Sequence, residues 1–270
     1  MLKSIANETS FSVKDSINSQ FQKAFKQLLL ADNSINYPFD SLKSIGKLTS
    51  NNKKIRVYTW NLPLAGGLHK YFGFIQVRKN DGSVALHNLT DSRKDVKDPN
   101  NERLNANNWM GAVYYHISEV DFESQTHYIL LGFDFNNLFT SKKIIEVLSI
   151  DGNGNPVFGQ PIFNIDNKMM LSRIVFEYSA RVVFTLKYMP EQQMIIFDHL
   201  SPSKPEYTGD FQFYGPDSSF DGFKLENGKW IYVRDLDLRN PRKEKSKPVD
   251  SPEKLPEPSF IYKPLYGKTI

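Results

Sequence analysis

With 270 residues, 40% of them apolar and 13% aromatic, the chain is long enough to bury a sizeable core, and its 20 Phe and 13 Tyr argue against disorder. The net charge of +4 is confined to one end: residues 239–270 hold eight basic and four acidic side chains, so 1–238 is balanced and offers no basic face for nucleic acid. Cysteine is absent, which excludes disulfides, thiol nucleophiles and Cys-ligated metals, and no apolar run reaches the roughly 18–20 residues of a transmembrane helix.

Residues 12–31 carry Val13, Ile17, Phe21, Phe25 and Leu28/Leu29 at spacings of about four, one stripe of an amphipathic helix. Ser12 is the expected N-cap, with Asp15 three residues on in the manner of a capping box. The helix, with the chain to residue 36, is expected to pack on the body through Val13, Ile17, Phe21 and Phe25.

From residue 44 the pattern becomes β. Apolar runs flank turn signals at Asn80-Asp81-Gly82, Asp151-Gly152-Asn153-Gly154-Asn155 and Glu226-Asn227-Gly228. Residues 91–108 are polar and read as a long loop. About thirteen strands joined by short turns, with no helices between them, predict mainly antiparallel pairing. The expected fold is all-β, a sandwich or strongly curved sheet spanning 37–238, with one N-terminal amphipathic helix. Three consecutive runs, 173–178, 181–188 and 194–200, are expected to form an antiparallel meander in the middle of the main sheet. Residues 239–270, with six of the fifteen prolines among Lys and Glu, read as an extended tail. Its composition suits an interaction with a protein partner.

The candidate site residues cluster where the third run ends. His199 closes that run, and a histidine at a strand end can serve as base or ligand. Its neighbour Asp198 points to the opposite face, so an acid from elsewhere must orient the ring. Tyr214-Gly215-Pro216-Asp217 follows, and Asp217 and Asp221 are the available acids. The stretch from Tyr214 to Asp221 is expected to be a turn-rich loop, whose two carboxylates and intervening hydroxyls also suit a hard cation or a set of Asx turns. Asp134, in Gly132-Phe133-Asp134-Phe135-Asn136, is a further candidate contact at a strand end. The Asp151 loop imitates a calcium loop but has Pro156 and Ile162 where Gly and Glu are needed. His69, His87, His116 and His127 show no zinc spacing, and no nucleophile elbow, P-loop or dinucleotide fingerprint is present. No cofactor or metal is therefore expected.

Six segments together resemble a family of uncharacterised Bacteroidota proteins: Tyr37-Pro38-Phe39-Asp40-Ser41-Leu42, Tyr71-Phe72-Gly73-Phe74-Ile75, Lys142-Lys143-Ile144-Ile145-Glu146-Val147-Leu148, Phe176-Glu177-Tyr178-Ser179-Ala180, Phe197-Asp198-His199-Leu200 and Tyr214-Gly215-Pro216-Asp217. The resemblance covers roughly residues 37–239. It implies an exported, periplasmic or otherwise extracytoplasmic protein of the cell envelope, with a signal peptide removed from before Met1. The expected function is non-enzymatic, binding an envelope partner or organising a complex, in part through the tail. The alternative is a hydrolase or carbohydrate-active protein using His199 with Asp217 or Asp221.

Overall fold

The computed structural model describes residue 8 and residues 10–166 and 169–238; the tail expected at 239–270 lies outside the described residues. The all-β expectation holds: antiparallel sheets, one of them strongly curled, and a single long helix near the N-terminus. Among the described residues there are sixteen strands.

Helix α1 (Phe11–Leu30) buries Asn18, Phe21, Phe25 and Leu29. Phe21 and Phe25 are buried as expected and Ile17 packs against the same cluster, but Val13 does not. Val13 is 41% exposed and Leu28 56%, because the stripe turns with the true helical repeat and brings Asn18 inward instead. Asn18 Oδ1 accepts the Trp60 indole N–H at 2.8 Å, which makes a buried Asn tolerable. The N-cap is Ser10, with no side-chain cap, and Ser12 and Asp15 lie within the helix.

The first sheet is a meander of β1 (Gly46–Thr49), β2 (Ile55–Pro63), β3 (His69–Arg78) and β4 (Val84–Thr90). Strict alternation sorts its side chains. Tyr58, Trp60, Leu62, Phe72 and Phe74 face α1, and Ile55, Val57, Tyr71, Ile75 and Val77 face the second sheet.

That second sheet orders β5 (Leu104–Asn105), β9 (Pro156–Phe158), β8 (Thr140–Ile150), β7 (Gln125–Asp134) and β6 (Val113–Phe122), with β12 (Arg173–Ser179) also on β8. It is the middle layer. Tyr128, Leu130, Ile144 and Leu148 pack toward the first sheet, and Ile129, Leu131, Ile145 and Val147 toward the third. Burial on both faces explains why β7 and β8 read as nearly unbroken apolar runs.

The third sheet orders β11 (Met170–Leu171), β10 (Phe163–Asn164), β16 (Lys229–Val233), β15 (Tyr214–Glu226), β14 (Met194–Pro202) and β13 (Leu186–Met189). All its pairs are antiparallel except β10 with β16.

The expected meander over 173–200 does not form. Residues 173–179 join the middle sheet, while β13 and β14 pair in the third, with β13 at its edge. Charge register explains the choice. On β8, Glu146 stands opposite Arg173 and Lys142 opposite Glu177, and both pairs form ion pairs, at 2.5 and 3.3 Å. The connection from β12 to β13 therefore changes layers instead of making a hairpin.

The polar 91–108 segment is less loop-like than expected. It carries β5, a short 3-10 turn and an isolated bridge from Asp91 to Trp109. Arg173 pins it by donating to the Pro99 and Glu102 carbonyls. The Asp151 turn is a hairpin loop: its Oδ1 accepts the amides of Asn153 and Asn155 at 2.9 and 2.8 Å.

Candidate functional site: a histidine between two carboxylates, and a groove under the helix

The segment expected as a loop from Tyr214 to Asp221 is instead the first part of the 13-residue strand β15. Gly-Pro-Asp, common turn chemistry, here begins a bulge. Asp198 pairs with Phe220 and Leu200 with Pro216, so His199 alone stands opposite residues 217–219. Ser218 takes a left-handed φ of 77°, which throws this stretch over the imidazole. Asp217 braces the bulge by accepting the Ser219 amide at 3.0 Å and its hydroxyl at 2.7 Å.

His199 is thereby set between two acids. Its Nδ1 lies 2.7 Å from Asp221 Oδ2, and its Nε2 lies 4.0 Å from Asp217 Oδ2. The two acids differ in setting. The Asp221 side chain is 2% exposed and that of Asp217 is 36% exposed. Asp221 also accepts the Tyr232 hydroxyl at 2.5 Å and the Asp235 amide at 3.0 Å. Burial alone would raise the Asp221 pKa, but the bonds from His199, Tyr232 and Asp235 outweigh it and hold the carboxyl below its ordinary range. Asp217 is lowered too, by its bonds from Ser219. Burial and the bond to Asp221 push the Tyr232 hydroxyl up to about 12.

An ionised, buried carboxylate fixes one imidazole nitrogen and leaves the other, which faces the partly exposed Asp217, available as an oriented base. Among the described residues, no hydroxyl is hydrogen-bonded to Nε2. A nucleophilic triad is therefore not assembled, and the base would have to act on water. Nor is there, among the described residues, a cluster of three or more His, Cys, Asp and Glu that could hold a metal ion. Asp217 Oδ1 is taken up by the bulge, and the Asp221 oxygens by His199, Tyr232 and Asp235.

The other candidate residues stand apart from this pair. Asp198 points to the opposite face and accepts the Thr185 amide at 2.5 Å, tying the start of β13 to β14. The Tyr214 hydroxyl accepts the Gly209 amide at 3.0 Å. Asp134 is buried elsewhere: it accepts the Tyr71 hydroxyl at 2.9 Å and Arg93 Nη1 at 2.7 Å, and the Arg93 guanidinium lies over the Tyr71 ring. This network fastens the segment after β4 onto β3 and β7. Trp60, Trp109 and Trp230 are all core residues and form no exposed aromatic platform.

Sequence reasoning did not find a second concavity. Beside α1, where the chain returns through residues 31–44, lies a groove of about 880 Å³. Phe21, Ala24, Phe25, Leu28, Phe39 and Leu42 form its apolar lining; polar groups come from the turn after the helix (Asp32, Asn33, Asn36) and from residues 41–44. Two sequence signals mark it in retrospect. Leu28 is an apolar helix residue off the buried stripe, and Pro38 lies in the return stretch that lines the groove opposite it. Arg56 secures that stretch by donating to the Ile35 carbonyl at 3.0 Å and the Tyr37 carbonyl at 2.5 Å.

Compared with protein-family models, curated proteins and solved structures, the chain matches none. No helix among the described residues is long and apolar enough to cross a membrane.

Proposed function

We propose that this protein is a non-enzymatic binding module of the cell envelope, acting outside the cytoplasm, and that its ligand site is the groove beside α1. The groove is the observation that carries this. At about 880 Å³ it falls in the range of clefts that take small molecules, roughly 300–1,000 Å³. A protein–protein interface would instead ask for about 800 Å² of surface on each partner. Apolar walls with a minority of polar lining groups suit an amphiphile with an extended hydrocarbon part. The envelope assignment rests on the sequence resemblance, and the basic, Pro-rich residues 239–270 are the part we assign to an envelope protein partner.

Ala24 lines the groove but is exposed, so Ala24→Phe fills it without disturbing the core. The full chain should bind a dansyl-labelled undecanoic acid saturably at one site. Ala24→Phe should weaken that binding by about tenfold or more, which is about 1.4 kcal/mol, at unchanged melting temperature. Equal binding by parent and variant, or no saturable binding, would sink the proposal.

The His199–Asp221 distance of 2.7 Å supports a second reading, a hydrolase. His199 Nε2 would take a proton from water, and the hydroxide would add to an ester carbonyl. The carbon–oxygen bond to the leaving alcohol would then break, with the proton passing to the alkoxide. The test is p-nitrophenyl acetate turnover by the full chain and by His199→Gln. A parent rate about 10²-fold or more above the variant supports it, since general-base catalysis typically contributes that much. Equal rates remove it.

A further inference from the structure

Three turns at one end of the sheets expose large apolar side chains together. The turn between β2 and β3 presents Leu68, 42% exposed. The turn between β7 and β8 presents Phe135, Leu138 and Phe139, at 40%, 64% and 62%. The crossing from β12 to β13 presents Val182 and Val183, at 37% and 87%. The turns touch one another. A Cβ placed on Gly67 would clash with the Leu138 side chain, and the Ala180 amide donates to the Phe139 carbonyl at 2.9 Å. The His69 ring stacks on Phe135 with 4.5 Å between centroids.

The middle turn is also unusual in its backbone. An exposed turn ordinarily gives its amides to water. Here the Phe135 amide donates to the Tyr71 hydroxyl, Asn136 to Asp134, and Asn137 to the Thr140 carbonyl. The Phe139 and Thr140 amides both donate to Asn137 Oδ1, at 2.8 and 3.0 Å. A tip with five of its amides satisfied internally leaves water at lower cost than one that gives them all to solvent. The charges beside the tips are basic. Lys70 and Arg181 sit next to these turns, Lys143 lies on β8 with its Nζ over the Tyr115 and Phe133 rings, and none of the three has a carboxylate within ion-pair distance among the described residues. The carboxylates nearby, Asp134 and Glu177, are already paired with Arg93 and Lys142.

We infer that these three turns form a membrane-docking surface, whose apolar tips enter the interface of an anionic bilayer while Lys70, Lys143 and Arg181 meet the lipid headgroups. These side chains stay exposed although their turns touch, and a deformable lipid surface covers them without a matching shape. Basic residues around them add attraction to anionic lipid. The inference does not depend on the groove, which lies beside α1.

The test is co-sedimentation of the full chain with vesicles of phosphatidylcholine alone and of phosphatidylcholine with phosphatidylglycerol. The triple variant Leu138→Asp, Phe139→Asp, Val183→Asp should melt with the parent, since all three side chains are exposed. It should lose about tenfold or more of the binding to the anionic vesicles, because the attraction scales with apolar area inserted. A separate Leu138→Trp variant should shift its fluorescence to the blue on anionic vesicles only. If the parent ignores both vesicles, the surface is not for lipid and a protein partner takes its place. If the triple variant binds as the parent does, the basic 239–270 segment accounts for the binding and the inference fails. Equal binding to neutral and anionic vesicles would overturn the assignment of the basic residues.

Discussion

Glu146→Ala should destabilise the protein by about 3–5 kcal/mol, because it leaves Arg173 buried without its counter-charge. Both side chains are fully buried, and Arg173 Nε donates to Glu146 Oε2 at 2.5 Å. The pair sits in the middle sheet, where no water can replace a lost partner. One guanidinium nitrogen, Nη2, already lacks a hydrogen-bond acceptor, so little reserve exists for compensation. At roughly 2–4 °C per kcal/mol for a chain of this size, the melting temperature should fall by about 6–20 °C. The double variant Glu146→Met, Arg173→Met should recover most of the loss, since apolar groups of similar volume often replace a buried pair at little cost. It should also loosen residues 99–102, whose carbonyls Arg173 holds. Thermal melting of the two variants beside the parent checks the order. A Glu146→Ala protein that melts with the parent would mean that the pair is not enclosed.

Much of the strand pattern is legible in the sequence because it is local. Asn80-Asp81-Gly82 and Glu226-Asn227-Gly228 name their hairpins through left-handed residues: Gly82 has φ 84°, and Asn227 and Gly228 have 50° and 76°. What is not local is which layer a strand joins. The 173–179 run lies next to 186–189 in sequence, yet its partner is β8, selected by Arg173–Glu146 and Glu177–Lys142 across 27 and 35 residues. The candidate site divides along the same line. His199 and its two acids are visible as residue types, whereas their geometry depends on a bulge at Asp217–Ser219 that looks like a turn. Tyr232 and the Asp235 amide, which fix Asp221, come from a further strand and its exit and give no sign beforehand. The groove is hidden for a similar reason: it exists because residues 31–44 fold back beside α1, and only tertiary contacts such as those of Arg56 hold them there.

Phe25→Ala should cost about 3–5 kcal/mol, the range for deleting a Phe from a closed core. Phe25 is 1% exposed, and its ring centroid lies 5.2 Å from that of Tyr58, 5.3 Å from Phe21, 5.5 Å from Phe39 and 5.9 Å from Phe74. It joins α1, the return segment and the first sheet in one contact set, and it lines the groove as well. Removing it leaves a cavity that three rigid aromatic neighbours from different elements cannot readily close. Val13→Ala, on the exposed part of the same helix, should stay within about 0.5 kcal/mol of the parent. The contrast separates the roles of the helix. If Phe25→Ala melts near the parent while Ala24→Phe abolishes probe binding, α1 serves the groove without supporting the fold. If Phe25→Ala lowers the melting temperature as expected and Ala24→Phe leaves it unchanged, the same helix holds the first sheet through one face and offers the groove along its flank.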